Sequence, residues 1–175
     1  MTKILFICHG NICRSVMAEM VMKERCRGAG VENLFEIASA AVSREEIGND
    51  IYPPAKRKLR EKGIPFTSHA ARQIIRADYA YYDYIICADR SNLRWLERII
   101  GEDTEHKVSL MMAWPQKTIT KNGVNRALAV ENHQSPITNI ENVPDVSDPW
   151  YTGDFEAAYR DIDRSCSAIL RQLLP

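Results

Sequence analysis

The stretch Lys3-Ile-Leu-Phe-Ile-Cys8-His-Gly-Asn-Ile-Cys-Arg14-Ser15 decides the fold of this chain. Its first half, residues 3–8, is a short apolar run that predicts a buried parallel strand. The run breaks at Gly10-Asn11, and a helical pattern follows over 13–27 before two further glycines end it. A strand that turns directly into a helix leaves Cys8 at the carboxyl edge of a parallel sheet, which is where α/β proteins bind ligands.

The later apolar segments repeat this alternation of strand and helix. Further strands are predicted over 35–39, 84–88 and 107–111, and further helices over 53–62, 89–100 and 155–173. The pattern predicts one α/β domain over 1–175, built as an open parallel sheet of about four strands flanked by helices. Within that domain, the polar, Asn-rich segment 115–146 is expected to form an extended loop.

The turn after the first strand has the features of a phosphate-binding loop. Backbone N–H groups of the turn and of the helix start converge there. Gly10 relieves crowding, and Asn11 tolerates a left-handed backbone. The planar guanidinium of Arg14 can bind two phosphate oxygens, while Cys8 lies below the phosphorus for in-line attack. A helix start, the arginine and the Ser15 hydroxyl favour the thiolate, and its attack would form a phosphocysteine intermediate.

Composition excludes several other classes of protein. The chain of 175 residues is 45% hydrophobic, and 23 Lys and Arg balance 23 Asp and Glu, so the formal net charge is zero. A dedicated nucleic-acid binder normally carries a basic excess. No apolar run approaches membrane-spanning length, and the apolar start is too short for a signal peptide. We therefore expect neither a nucleic acid nor a membrane as partner.

The cysteines indicate free thiols in a reducing compartment. They number five, at positions 8, 13, 26, 87 and 166, and are scattered rather than regularly spaced. The sequence contains no CxxC pair and no spaced histidine pair of the kind that binds zinc. A cytoplasmic protein with no metal and no cofactor is the expectation.

The loop closely resembles the active-site loop of the low-molecular-weight protein tyrosine phosphatases. A bare Cys-x5-Arg spacing also occurs by chance, in which case Cys8 would be a structural cysteine. Here the similarity spans nearly the whole chain. It continues through Ala38-Ser-Ala40, Ile51-Tyr-Pro-Pro-Ala55, Ser68-His-Ala-Ala-Arg72-Gln73, Ala88-Asp-Arg-Ser-Asn92 and Asp148-Pro149.

The resemblance implies a role for each site residue. Cys8 would be the nucleophile, Arg14 the phosphate-binding group, and Asp148 the general acid that later activates water as a base. Ser39 and His69 would support the loop through hydrogen bonds, although ordinary polar capping is the alternative for both. The residues expected to bind substrate are His9, Gly10, Asn11, Ile12, Cys13, Ser15, Trp150 and Tyr151.

The side chains around the expected slot favour an aromatic substrate. The arginine-phosphatase branch of the family carries Thr at the position of Ile12, and an apolar residue suits a flat ring better than a guanidino group. Trp150 and Tyr151 would line a slot too deep for phosphoserine or phosphothreonine. The expected substrate is a phosphotyrosine protein or a small aryl phosphate, and the expected product is inorganic phosphate. Glu45 and Glu46 would disfavour acidic phosphopeptides if they face this slot.

Other interpretations of the same loop remain open. An arsenate reductase would need resolving cysteines, and the chain has none between Cys87 and Ser165. An arginine phosphatase is disfavoured by Ile12. A phosphate-binding module without turnover, or a sugar-transport phosphocarrier, would have no use for Asp148. Cys13 is either the partner of Cys8 in a reversible protective disulfide or a helix-start cysteine with no redox role.

Overall fold

A computed structural model describes residues 1–114, 119–120, 123–124 and 142–174, and it confirms the predicted α/β architecture. The main strands are Thr2–Cys8 (β1), Phe35–Ala41 (β2), Tyr84–Cys87 (β3) and Val108–Leu110 (β4). They form one sheet in the order β2-β1-β3-β4, and every neighbouring pair is parallel. Two short strands, Ile119–Thr120 (β5) and Gly123–Val124 (β6), pair with each other in antiparallel fashion.

The helices flank this sheet. Their bounds are Arg14–Gly28 (α1), Pro53–Glu61 (α2), Arg76–Tyr81 (α3), Arg90–Ile100 (α4), Pro149–Thr152 (α5) and Phe155–Leu173 (α6). The sequence did not predict α3 or α5, because helices of one turn or a little more are too short to show an amphipathic repeat. The helix predicted from about Cys13 begins at Arg14, because Cys13 has a non-helical backbone.

Both faces of the sheet are buried, as expected for parallel strands. Along β1, Ile4 and Phe6 point into a core cluster shared with α1 and α6. The alternate residues, Leu5 and Ile7, point into a second cluster shared with α4. All four side chains are fully buried, and burial of each stabilises the fold by about 1.5–3 kcal/mol. This double burial explains why the β1 sequence is a continuous apolar run.

For helix α6 the sequence predicts one apolar stripe at a 4-3-4-3-4 spacing, formed by Phe155, Tyr159, Ile162, Cys166, Ile169 and Leu173. Ile162, Cys166 and Ile169 are fully buried in the same cluster as α1. Phe155, at the start of the helix, is partly buried against that cluster. Asp154 caps the helix by accepting a hydrogen bond from the backbone N–H of Ala157 at 2.8 Å. The predicted bounds and the buried face of this helix are both confirmed.

The strand ends bring distant parts of the chain to one edge of the sheet. In the parallel register, Cys8 lies opposite Ala41 of β2, and Ile7 lies opposite Cys87 of β3. Just past β3, the carbonyl of Ala88 accepts a hydrogen bond from the N–H of Val146 at 2.9 Å. The segment that leads to α5 is thereby held beside the end of β1.

Of the extended loop predicted over 115–146, the structure describes 119–120, 123–124 and 142–146, and the remainder of that prediction lies outside the described residues. Among the helices of the described ranges, none has the length and apolar character needed to cross a membrane.

Candidate active site

Residues 8–15, the predicted phosphate-binding loop, join the end of β1 to the start of α1. The Cys8 Sγ lies 3.0 Å from the Ser15 Oγ and accepts a hydrogen bond from the backbone N–H of Asn11 at 3.3 Å. No side chain caps the first turn of α1 at Cys13. The sulfur therefore has one backbone donor, and a hydroxyl group lies within hydrogen-bond distance of it.

Arg14 is the first residue of α1, and its side chain is buried at the bottom of the site. Its Nη1 donates to Asp89 Oδ2 at 2.6 Å, and its Nη2 donates to Asp148 Oδ2 at 2.6 Å. Burial lowers the pKa of the Arg14 guanidinium, but the charges of Cys8 and of the two carboxylates outweigh burial and raise this pKa above its usual value. Arg14 therefore remains a cation beside Cys8.

Asp148 reaches Arg14 because it caps the short helix α5. Its Oδ1 accepts a hydrogen bond from the backbone N–H of Trp150 at 3.1 Å, which leaves Oδ2 facing the guanidinium. Pro149 at the first helical position sets the backbone beside it. About a quarter of the Asp148 side chain, 27%, is exposed, so its carboxyl group is open to the pocket.

Asn11 links the loop to the rest of the site. Its φ is 61°, in the left-handed region that few residues other than glycine adopt. Its Nδ2 donates to Ser15 Oγ at 3.0 Å and to Ser39 Oγ at 2.8 Å. Its Oδ1 accepts from the N–H of Arg72 at 3.2 Å, and its carbonyl lies 2.8 Å from Nε2 of His69. Ser39 and His69 thus both contact the residue with the unusual backbone conformation.

Cys13 and Gly10 are two further residues of this loop, and both line the adjoining pocket. Burial, followed by the neighbouring charges of Cys8 and Asp148, raises the pKa of Cys13 to about 12. Cys13 is therefore a neutral thiol at physiological pH, and both it and Cys8 are free. A Cβ on Gly10 would approach Cγ of Glu46 to 3.0 Å, so a side chain there would displace that glutamate.

The site opens into a pocket with a volume of about 250 Å³. Ile12, Trp150 and Tyr151 supply apolar surface to its lining, and Glu45 and Glu46 supply carboxylates. The outer aromatic wall is well exposed, with Trp150 at 55% and Tyr151 at 85% of full accessibility.

Two of the side chains that line this pocket, Trp150 and His9, contact side chains that lie outside the loop 8–15. The ring of Trp150 lies 5.2 Å from that of Tyr52, measured between centroids. His9 contacts Glu45, with 3.1 Å between Nε2 and Oε2.

The sequence missed two acidic residues of the site. Asp89 was predicted only as a helix start, and it does cap α4 through the N–H of Asn92 at 2.7 Å, but its second oxygen binds Arg14. Its position just after a parallel strand was the available signal. Glu19 was not predicted at all; it accepts a hydrogen bond from Ser39 at 2.6 Å. Across the described part of the chain, no group of three or more acidic, His or Cys residues is arranged to hold a metal ion.

Comparison with known proteins assigns a family to this arrangement. A family model described as low molecular weight phosphotyrosine protein phosphatase matches residues 3–129. A relative of that name from Gallus gallus is 36% identical over 177 residues, covering 97% of this chain and 94% of its own. The crystal structure of YfkJ from Bacillus subtilis matches with a TM-score of 0.79 at 30% identity, over 98% of this chain and 93% of that chain. The chain therefore belongs to the low molecular weight phosphotyrosine protein phosphatase family.

Proposed function

We propose that this protein is a tyrosine phosphatase that hydrolyses phosphotyrosine through a phosphocysteine intermediate on Cys8. The observation that carries the proposal is the position of Arg14, which follows the nucleophile loop and lies 2.6 Å from Asp148. A nucleophile, a cation and a carboxyl group therefore meet around one pocket. Family membership supports the same activity, since the relatives bear the name phosphotyrosine protein phosphatase.

In the first step, the Cys8 thiolate attacks phosphorus in line with the bond to the tyrosyl oxygen. The S–P bond forms as the P–O bond breaks, and Asp148 donates its proton to the departing phenolate oxygen. Arg14 and the loop N–H groups bind the equatorial oxygens, whose charge they stabilise in the transition state. The products of this step are a tyrosyl hydroxyl and phosphocysteine.

In the second step, the ionised Asp148 takes a proton from a water molecule, whose oxygen attacks phosphorus. The S–P bond breaks, Cys8 returns as a thiolate, and inorganic phosphate leaves. Dividing hydrolysis in this way replaces one difficult displacement by two easier ones. The Ser15 hydroxyl, 3.0 Å from Sγ, stabilises the thiolate as nucleophile and as leaving group. No cofactor takes part in either step.

The walls of the pocket favour a phosphorylated aromatic ring. Ile12 and Trp150 line the pocket and offer apolar surface for a phenyl group. We expect that the short side chains of phosphoserine and phosphothreonine would not bring phosphorus to Cys8. Glu45 and Glu46 also line the pocket and would repel acidic residues that flank the phosphotyrosine. We propose phosphotyrosine proteins with neutral or basic flanking residues, and small aryl phosphates, as substrates.

The competing activities are less well supported. An arsenate reductase needs a second cysteine that reaches Cys8, but Cys87 is fully buried and points into the core cluster on the other face of the sheet. Burial raises the pKa of Cys87 well above its usual value, which makes it a poor nucleophile. A cytoplasmic location stays a prediction, supported by five free thiols.

The decisive test is turnover of para-nitrophenyl phosphate and a phosphotyrosine peptide by wild type, Cys8→Ser and Asp148→Ala. Cys8→Ser should lose at least ~10³-fold in kcat. Asp148→Ala should lose ~10²-fold or more on the peptide, and less on the nitrophenyl ester, whose leaving group needs no proton. Asp154→Ala is the matched control, because this carboxylate also caps a helix.

Two outcomes would contradict the proposal. Turnover by Cys8→Ser close to that of wild type would show that Cys8 is not the nucleophile. Full activity of Asp148→Ala on the peptide would show that Asp148 is not the general acid. Parallel assays with phosphoarginine and arsenate identify the activity if phosphotyrosine is not hydrolysed.

A further inference from the structure

Glu19 is a buried carboxylate on an otherwise apolar stretch of α1. It is the one charged residue between Arg14 and Lys23, and only 11% of its side chain is exposed. Its Oε1 accepts from Nζ of Lys23 at 2.5 Å, and its Oε2 accepts from the Ser39 hydroxyl at 2.6 Å. Burying a carboxylate costs free energy unless its partners compensate. Both oxygens of Glu19 have such a partner.

The charge of Glu19 sets the direction of a chain of hydrogen bonds. An ionised carboxylate only accepts, so the single proton of Ser39 points at Glu19. Ser39 Oγ is then left with lone pairs alone, and it accepts from Asn11 Nδ2 at 2.8 Å. With Nδ2 directed at Ser39, the Oδ1 atom of the same Asn11 amide accepts a hydrogen bond from the N–H of Arg72.

The same chain ends at the nucleophile. The second hydrogen of Asn11 Nδ2 points at Ser15 Oγ, 3.0 Å away. Ser15 therefore accepts from Asn11, and its own proton is free to point at Cys8 Sγ at 3.0 Å. Each donated hydrogen in the series has one acceptor. The Glu19 carboxylate only accepts at one end, which is consistent with the Ser15 hydroxyl donating to the Cys8 thiolate at the other end.

We propose that Glu19 is a positioning residue for the nucleophile, acting through Ser39, Asn11 and Ser15 to keep a hydroxyl proton directed at Cys8. This inference rests on the proposed function for its effect on turnover, and it also predicts the reactivity of the thiolate in the absence of substrate. Lys23 pairs with the other oxygen of Glu19 from the surface side, at 2.5 Å.

The test variant is Glu19→Gln, which keeps the shape but lets the group donate. Because Lys23 only donates, the amide oxygen turns to Lys23 and the NH2 group faces Ser39, which then has two donors and no acceptor for its proton. We expect kcat/KM for para-nitrophenyl phosphate to fall ~10- to 100-fold, with KM changed less than kcat. The rate at which iodoacetate alkylates Cys8 at pH 5 should fall about tenfold, because fewer thiols are ionised.

Two comparisons separate positioning from mere stability. Glu24→Gln on the same helix is the matched control, since in the described part of the chain Glu24 pairs with Arg27 near the surface, and it should leave both rates unchanged. The double variant Glu19→Gln with Ser39→Ala should be no slower than the slower single variant, because both changes interrupt one chain. The other charged or titratable groups beside the sulfur stay as in wild type, namely Arg14 and Cys13, with Asp89 and Asp148 bound to Arg14.

The outcomes are distinct. Rates for Glu19→Gln within about twofold of wild type, or additive effects in the double variant, would overturn the inference. If Glu19→Gln does not fold, Ser39→Ala and Lys23→Gln test the same chain at its neighbouring members, and unchanged alkylation in both would again overturn it. If wild type shows no turnover, the proposed function fails, whereas the alkylation rates still decide the role of Glu19.

Discussion

The two segments that meet at Arg14 are held in different ways. In the phosphate-binding loop, 8–15, every residue except His9 and Gly10 is buried, and Asn11 uses its backbone and side chain in hydrogen bonds on all sides. In the segment 148–154, every residue after Pro149 is exposed. The loop 8–15 is therefore buried and held by many hydrogen bonds, whereas the segment proposed to meet the substrate is open to solvent. Substitutions should therefore affect chemistry and stability on the first side, and recognition on the second.

The largest effect is expected at Asn11, where the loop depends on one side chain. Asn11→Ala loses three side-chain hydrogen bonds in a buried position. It also places alanine, whose side chain cannot form hydrogen bonds, at the left-handed φ of 61°. We expect a loss of about 3 kcal/mol in the free energy of unfolding and ~100-fold or more in kcat. Urea unfolding and para-nitrophenyl phosphate turnover measure the two effects.

Asn11→Gly is the matched variant, because glycine adopts the left-handed backbone without strain. It should recover about 1 kcal/mol of stability relative to Asn11→Ala while its turnover stays low. If the glycine variant recovered full turnover, the side-chain bonds would not matter, and the loop would need only the backbone conformation.

A smaller and different effect is expected at Trp150 on the open side. Its ring is 55% exposed and contacts Tyr52, so Trp150→Ala should change the free energy of unfolding by less than about 1 kcal/mol. An aromatic contact with a phenyl ring is worth about 0.5–1.5 kcal/mol, so KM for a phosphotyrosine peptide should rise ~3- to 10-fold. The kcat value should stay within about twofold. A large fall in kcat at unchanged KM would mean that this wall also positions Asp148.

The smallest effect is expected at Asp50, which contacts the loop through His69. Asp50 accepts from Nζ of Lys56 and from the N–H groups of Ile51 and His69, and these bonds lower its pKa from 3.8 to about 2. Because the folded pKa lies below the unfolded one, the stabilisation is present above pH 3.8 and is lost as the pH falls towards 2.

Asp50→Asn should therefore unfold with a weaker pH dependence between pH 4 and 2 than wild type, with little change in turnover at neutral pH. Thermal unfolding as a function of pH measures this difference. An equally steep acid dependence in the variant would contradict the role of Asp50. Glu61→Gln is a suitable control, because this exposed carboxylate contacts only lysines.

Much of the fold followed from local patterns. The apolar run of β1, the Gly10-Asn11 break and the 4-3-4-3-4 stripe of α6 each depend on residues close in sequence, and all three predictions are confirmed. Helices α3 and α5 were missed, since they are short and are placed by contacts with the rest of the chain rather than by a periodic apolar face.

The sequence by itself predicted the position of the loop 8–15 between strand and helix, because its strand end, turn, cysteine, arginine and serine are contiguous and depend on local backbone geometry. Only the tertiary structure decided which carboxylates surround Arg14, since Asp89 is 75 positions away and reaches it through the order of the parallel strands. Glu19 likewise looked like one polar residue in an apolar helix. Its contact with Ser39 exists because α1 packs on the sheet, and such a contact leaves no pattern in the sequence.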